Sequence, residues 1–248
     1  MNQMSCRVAC ANVMSEPNHY SELQTQLLYN DVVDCLSESA IWAHVQHRWE
    51  GHTGYVLRSQ IAPENIGVNN AFIVENIKTY LSQKFISIQI PMGAFITNPS
   101  KIEGELCNLA TTIFDEPTIR KIVYSYLHTP YMWGGMTHQG IDCSGFSQIL
   151  YRFFNIPLSH IASDQILAGT VLDFLANANI GDLAFFENEQ KEINHVGILL
   201  SPTEIIHASE TNGKVAIDSI DMHGIINRTS GKRTHTLRLI KRLITITK

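Results

Sequence analysis

Alternating apolar and polar residues dominate the first 110 positions, and helical spacing appears only afterwards. Residues 7–13, 31–36, 40–46 and Thr53–Leu57 are short runs rich in apolar and β-branched residues. Turn chemistry separates them at Ser15-Glu16-Pro17-Asn18, Tyr29-Asn30-Asp31 and Glu50-Gly51-His52. Short strands at this spacing predict a small barrel or sandwich. Residues 61–69, with Pro63 and Gly67, read as a linker. A weaker copy follows in runs 71–77, 85–90, 93–96 and 105–109, broken by Pro91, Pro99 and Gly104. The pattern changes near Asp115. Ile119, Ile122, Val123 and Tyr126 recur at helical spacing over 118–127, with Pro117 in the first turn and Asp115 as the cap. Residues 143–154 repeat that spacing through Phe146, Ile149, Leu150 and Phe153. A short third helix is expected at 164–167. Strands return at 182–186, 195–200, 203–207, 214–218 and 234–246. Helices followed by an antiparallel sheet predict an α+β domain of about 135 residues behind two small all-β units.

Composition adds exclusions. The chain has 248 residues, 44% of them hydrophobic and 17% charged, and a formal charge of −5. That is a globular composition, and its mild acidity argues against general nucleic-acid binding. The five cysteines stand at 6, 10, 35, 107 and 143. The odd count and the lack of Cys-x-x-Cys point away from a disulfide framework and from a four-cysteine zinc site. No run approaches the ~20 apolar residues of a membrane span. The N-terminus lacks the basic and apolar stretches of a secretory signal, so a cytoplasmic location and reduced thiols are expected.

The chemistry concentrates in the last domain. In Asp142-Cys143-Ser144-Gly145-Phe146, Asp142 is a good helix N-cap and Cys143 the first helical residue. A helix N-terminus favours a thiolate and aims free backbone N–H groups at a reacting oxygen. The competing reading is a buried packing cysteine. His195 and His207 flank the Ser201-Pro202 turn. If facing residue numbers in that hairpin sum to about 402, the two imidazoles lie opposite each other, one as base and the other as its orienter. A zinc site built from Cys143, His195 and His207 is the alternative, but no His-x-Glu or Cys-x-x-Cys companion accompanies them. The glycines between 134 and 140 are not a phosphate loop, because no Gly-Lys-Ser/Thr follows.

The run Pro130-Tyr131-Met132-Trp133-Gly134-Gly135, followed by Gly140-Ile141-Asp142-Cys143-Ser144-Gly145-Phe146, resembles the signature of the NlpC-type cell-wall cysteine peptidases. So do Gly181-Asp182-Leu183-Ala184-Phe185-Phe186, Asn194-His195-Val196-Gly197-Ile198 and Ile206-His207-Ala208, in the right order and spacing. The resemblance covers residues 115–248. It implies a papain-like α+β fold and cleavage between γ-D-glutamate and a diamino acid in peptidoglycan stem peptides. Ala11-Asn12-Val13-Met14-Ser15-Glu16-Pro17 and Gly54-Tyr55-Val56 look like a bacterial SH3-like domain. Two such domains ahead of the peptidase resemble the muropeptide-recycling subgroup, whose first SH3-like domain selects peptides with a free N-terminal L-alanine. The implied organisation is 1–64 and 65–113 as SH3-like domains and 114–248 as the peptidase.

By this resemblance Cys143 is the nucleophile, His195 the general base and His207 the orienting residue. Tyr131 lies near the oxyanion and the substrate, Asp142 and Ser144 line the cleft, and Trp133 supports it. Glu16 is the natural carboxylate for a substrate ammonium, although Ser-Glu-Pro is equally turn chemistry. Tyr55 or Trp42 lines the same end or packs the core. Near the third helix, Ser163 and Gln165 fit the family's Ser-x-Gln, and Ser163 is a candidate substrate contact. His160 and Ile161 replace the Arg-Asp pair often found just before it. The C-terminal stretch holds Lys232, Arg233, Arg238, Lys241, Arg242 and Lys248 with no acid, and reads as a strand with solvated basic positions. Asn227-Arg228-Thr229 matches a glycosylation pattern by chance. The expected protein is a monomeric cysteine endopeptidase acting on peptidoglycan stem peptides, with no cofactor and no metal. The alternatives are an amidase or acyltransferase of the same fold, and a non-catalytic wall-binding protein.

Overall fold

The computed structural model describes residues 2–63, 72–76, 78–83 and 86–244. They form two compact units: Met1–Thr112 with Trp133–His138 and Arg152–Pro157, and Ile113–Met132 with Gln139–Tyr151 and Leu158–Lys248.

The first unit opens with β1 (Asn2–Cys6), β2 (Cys10–Met14), β3 (Leu23–Leu28), β4 (Val32–Glu38), β5 (Trp42–His47), β6 (Thr53–Leu57) and β7 (Ile61–Pro63). They make one antiparallel sheet in the order β3-β2-β6-β5-β4-β1-β7. Its inward residues, among them Met4, Val13, Leu27, Val33, Val45, Val56 and Ile61, bury a common core. Three expectations need correction. The run 7–13 is not one strand: the chain turns between Cys6 and Cys10, where the Cys6 and Ala9 carbonyls accept from the Asn30 and Tyr29 amides. The strand β3 was not anticipated, because its Gln-Thr-Gln centre carries little β signal. The start of the supposed linker pairs with β1, as β7, at the edge of the sheet where Pro63 needs no ladder donor. Positions 64–69 of that linker lie outside the described residues.

Six short strands follow: β8 (Phe72–Val74), β9 (Tyr80–Gln83), β10 (Ile86–Gln89), β11 (Phe95–Ile96), β12 (Ile102–Glu103) and β13 (Leu106–Asn108). They form two three-stranded sheets, β10-β9-β12 and β11-β8-β13. The expected runs are shorter than foreseen, and their positions 71, 77 and 85 lie outside the described residues. β9 and β12 were not foreseen.

A buried charge network belongs to this unit. The Arg152 guanidinium pairs with Asp31, donates to the Gly93 carbonyl at 2.9 Å and lies 4.3 Å over the Phe95 ring. His47 bridges Asp31 and Glu50, at 3.4 Å to each. Burial alone would raise the Asp31 pKa, but the Arg152 charge and His47 together hold it at about 2.

The second unit holds α1 (Glu116–Ser125). Asp115 caps it as expected, accepting from the Thr118 amide at 2.9 Å. The two-residue strand β15 (Gly140–Ile141) precedes α2 (Cys143–Arg152), and the single-turn α3 (Ala162–Gln165) follows it, whereas β14 (Met136–Thr137) belongs to the first unit. Then come β16 (Thr170–Leu172), β17 (Leu183–Glu187), β18 (Ile193–Ser201), β19 (Glu204–Ser209), β20 (Lys214–Asp221), β21 (Gly224–Ile226) and β22 (Arg233–Arg242). The sheet order is β16-β22-β17-β18-β19-β20-β21, and a further β21–β22 pairing closes it on itself. Ala184, Phe186, Leu199, Ile205, Ile220, Ile225 and Ile240 pack together in one buried cluster. The uneven alternation in the last strand has a cause: register slips opposite Phe185 and Phe186, so Arg238 is bulged out. The basic stretch is largely neutralised, since Arg242 pairs with Asp182 at 2.6 Å and Arg233 with Asp221 at 2.7 Å. Positions 245–248 lie outside the described residues.

Candidate active site

Cys143 opens α2 and is 7% exposed. Asp142 Oδ1 accepts the Gly145 amide at 2.6 Å and the Ser144 hydroxyl at 3.0 Å, the cap its position implied. Below this first turn, Gln165 is 1% exposed and donates to the Ser144 and Ser159 carbonyls at 3.1 and 2.7 Å. It also accepts from the Ser147 hydroxyl at 2.6 Å. This side chain therefore fastens α3 to the turn that carries the thiol.

The electrostatics of Cys143 correct one expectation. Burial, with Asp142 adding to it, pushes the thiol up to about 12, although amides of Val196, Ser144 and Cys143 itself face the sulfur and favour the thiolate. Desolvation outweighs the helix terminus. Burial also drives His195 well below its ordinary value, with His235 and His207 adding to the effect. The resting groups are therefore a neutral thiol and a neutral imidazole.

The histidine hairpin is built differently from the expectation. Ile198 faces Ile206 and Leu199 faces Ile205, so facing numbers sum to 404 instead of 402. The turn is Pro202-Thr203, one residue further on, with a bulge between Leu199 and Ser201. His207 therefore lies opposite Gly197, diagonal to His195. A two-residue slip keeps every side chain on its face, and a diagonal pair ~7 Å apart is within reach of imidazoles. His195 Nε2 and His207 Nδ1 are 2.8 Å apart, with the rings edge-on at 77°. Gly197 provides the room, since a Cβ there would stand 3.1 Å from His207 Cβ. Both rings are buried, at 5% and 0% exposure.

Two neighbours were not singled out from the sequence. His207 Nε2 lies 3.2 Å from Asp218 Oδ2. His235, on β22, stacks on His195 at 4.2 Å and 28°. Sheet periodicity could have found Asp218: His207 faces Ala216, so Asp218 is its diagonal neighbour on the same face. His235 lies across β17, where Phe186 pairs with both His195 and Leu237, and that pairing of distant segments had no local signal.

The other candidates fall in several places. Tyr131 is half-buried in the second unit, and its hydroxyl pKa is raised by burial and then by Cys143 and Asp142. Ser144 is buried beside Cys143, whereas Ser163 is exposed on α3. Trp133 belongs to the first unit, is 60% exposed, and donates its indole N–H to Glu22 at 3.0 Å. Glu16 is exposed in its turn and accepts from the Asn18 amide at 3.3 Å. Tyr55 stacks on His44 at 4.6 Å. Among the described residues no group of three or more His, Cys, Asp or Glu is placed to hold a metal ion, and no helix is long and apolar enough to cross a membrane. Asn227 is 4% exposed and donates to Asn212 at 2.5 Å, a packing role that removes it as a glycan acceptor.

A thiol at a helix start, faced by the amide next to His195, with an imidazole pair on an antiparallel sheet, defines the class, a cysteine peptidase. Residues 128–234 match the NlpC/P60 family, and residues 13–61 match the bacterial dipeptidyl-peptidase Sh3 domain. A γ-D-glutamyl-L-lysine dipeptidyl-peptidase of Bacillus subtilis (strain 168) is 33% identical over 223 residues, 79% of this chain and 75% of its own. Dipeptidyl-peptidase 6 of Lysinibacillus sphaericus is 24% identical over 85% of this chain and 89% of its own. The crystal structure of an NlpC/P60 family protein from Bacillus cereus ATCC 10987 covers 98% of this chain with a TM-score of 0.81, at 16% identity, a likeness of fold. The chain belongs to the NlpC/P60 family of peptidases, with an N-terminal all-β SH3-like region.

Proposed function

We propose that the protein hydrolyses the γ-D-glutamyl–diamino acid bond of peptidoglycan stem peptides, and that it acts on short peptides with a free N-terminal L-alanine. The observation that carries this reading is the thiol of Cys143 at the start of α2, in a site with the His195–His207 pair. The names borne by the relatives from Bacillus subtilis and Lysinibacillus sphaericus support the substrate class and the release of a dipeptide.

In this reading Cys143 is the nucleophile. Its proton passes to His195 as sulfur attacks the carbonyl after D-glutamate, and the N–H groups of the first helical turn face the oxyanion. His195 returns the proton to the departing amine. Water then enters by the same base and releases the acyl group as a carboxylate. Tyr131, Asp142 and Ser144 line the cleft, with Ser163 as an outer contact. Residues 1–64 and 65–113 are two SH3-like domains, and Glu16 with Tyr55 receives the peptide's N-terminal ammonium.

The test is digestion of L-Ala-γ-D-Glu-L-Lys and its diaminopimelate counterpart, with free and acetylated N-termini, read by mass spectrometry. The expected result is release of L-Ala-D-Glu from the free peptides only, and none with Cys143→Ala. Full cleavage by Cys143→Ala would overturn the catalytic assignment. Equal rates on acetylated peptides would overturn the amine requirement.

A further inference from the structure

His207 is a two-faced residue. One ring nitrogen meets His195 and the other meets a carboxylate that the proposed mechanism leaves without a role. Asp218 Oδ2 lies 3.2 Å from His207 Nε2 and accepts from the Asn212 side chain at 3.0 Å. Asp218 Oδ1 accepts the Arg228 backbone amide at 2.9 Å. Asn212 is itself held by the Asn227 amide. The carboxylate thus has two donors fixed in place by other bonds, plus one imidazole.

We propose that Asp218 is a positioning residue that sets the proton arrangement of the whole histidine chain, so that Nδ1 of His195 is the basic atom. An ionised carboxylate only accepts hydrogen bonds, so His207 carries its proton on Nε2. In the neutral ring Nδ1 is then a bare acceptor. The 2.8 Å contact can be satisfied only if His195 Nε2 carries the hydrogen and donates. That leaves Nδ1 of His195 bare. This atom takes the Cys143 proton; the N–H on Nε2 stays in place through the reaction, and the imidazolium charge faces His207 and, beyond it, Asp218. If His207 were protonated on Nδ1 instead, that hydrogen would meet the Nε2 side of His195. The His195 proton would move to Nδ1, and the base would be lost.

The inference rests on the proposed roles of Cys143 and His195, but its primary test needs no substrate. In the wild-type protein labelled with ¹⁵N-histidine, long-range ¹⁵N–¹H spectra at pH 7.5 should show His207 and His195 both protonated on Nε2. His207→Gln and His195→Gln spectra assign the signals. His207 protonated on Nδ1 would overturn the proposal. The second arm is Asp218→Asn, which keeps size but gives up the all-acceptor character. Either orientation of the amide sets its N–H₂ against a fixed donor, Asn212 or the Arg228 amide. The expected result is loss of the single tautomer at His207 and about a 10²-fold drop in kcat at nearly constant KM on L-Ala-γ-D-Glu-L-Lys. A variant that keeps both the wild-type tautomer and its kcat would overturn the proposal. If the wild-type protein leaves these peptides uncut, the proposed substrate falls, whereas the tautomer result stands or falls by itself.

Discussion

Gly197→Ala probes how tightly the histidine chain is built. A Cβ at this position would lie 2.6 Å from Ile205 Cδ1, 3.0 Å from Ile205 Cγ1 and 3.1 Å from His207 Cβ. The Ile205 contact is with a flexible end, but that residue is fully buried in the closed sheet, so relief means a poorer rotamer in a packed core. Overpacking of this kind costs about 1–3 kcal/mol. At about 2–4 °C per kcal/mol for a chain of this size, that lowers Tm by roughly 2–12 °C. The His207 contact must yield by a few tenths of an ångström, and it is the one that reaches chemistry. A displacement of ~1 Å in a catalytic group costs about 10²-fold, so a shift of this size should cost on the order of tenfold. The assay is kcat on L-Ala-γ-D-Glu-L-Lys beside a melting curve of the same preparation. An alanine variant with wild-type kcat and Tm would show that Gly197 does not set the position of His207, and the diagonal packing argument would fail.

Four more outcomes follow from the charges. His235 is held at about 4 by burial and the His207 charge, so its stability contribution is present above pH 6.5 and is lost as pH falls toward 4. His235→Phe should flatten that part of a Tm-against-pH curve, and an unchanged curve would contradict the burial argument. Arg152→Ala leaves Asp31 buried without its main partner and should cost about 3–5 kcal/mol in urea unfolding. A loss under 1 kcal/mol would mean that His47 alone suffices. Asp31, held at about 2, should add a further loss of stability in the wild type as pH falls from 3.8 to 2, absent in Asp31→Asn. Iodoacetamide labelling of Cys143, whose thiol burial pushes to about 12, should keep rising with pH above 8. A plateau from pH 5 to 8 would reveal a preformed thiolate–imidazolium pair.

The helices were legible because each carried local signals. Asp115 and Pro117 mark the start of α1, and the spacing of Phe146, Ile149, Leu150 and Phe153 identifies α2 from Cys143. The strands that escaped notice are those whose residues lack a β signal of their own. β3 reads Leu-Gln-Thr-Gln-Leu-Leu, and its place is set by pairing with β2. β21 is three residues long and exists because it pairs with β20 and β22. The pKa of Cys143 was misjudged for a related reason. Helix position can be read from neighbours in the chain, whereas burial depends on what packs over the sulfur.

The His195–His207 contact does not depend on the exact hairpin register. Facing sums of 402 and 404 differ by a slip of two, and His195 and His207 meet in both, because the side-chain period of a strand is two and an even slip preserves the face. An odd slip would have sent one imidazole to the opposite side of the sheet. The same rule now extends the chain outward. His207 faces Ala216 across the next pair of strands, so a diagonal neighbour with the same parity is Asp218, and that is where the hydrogen bond goes. Parity along three adjacent strands therefore narrows the partner of His207 to the two diagonal positions Lys214 and Asp218. On the other side Phe186 pairs with both His195 and Leu237, so the parity reaches His235 only once the non-local β17–β22 pairing is known, and Gln165 reaches the nucleophile's helix from α3. Both depend on which distant segments come together, and alternation within a strand carries no information about that.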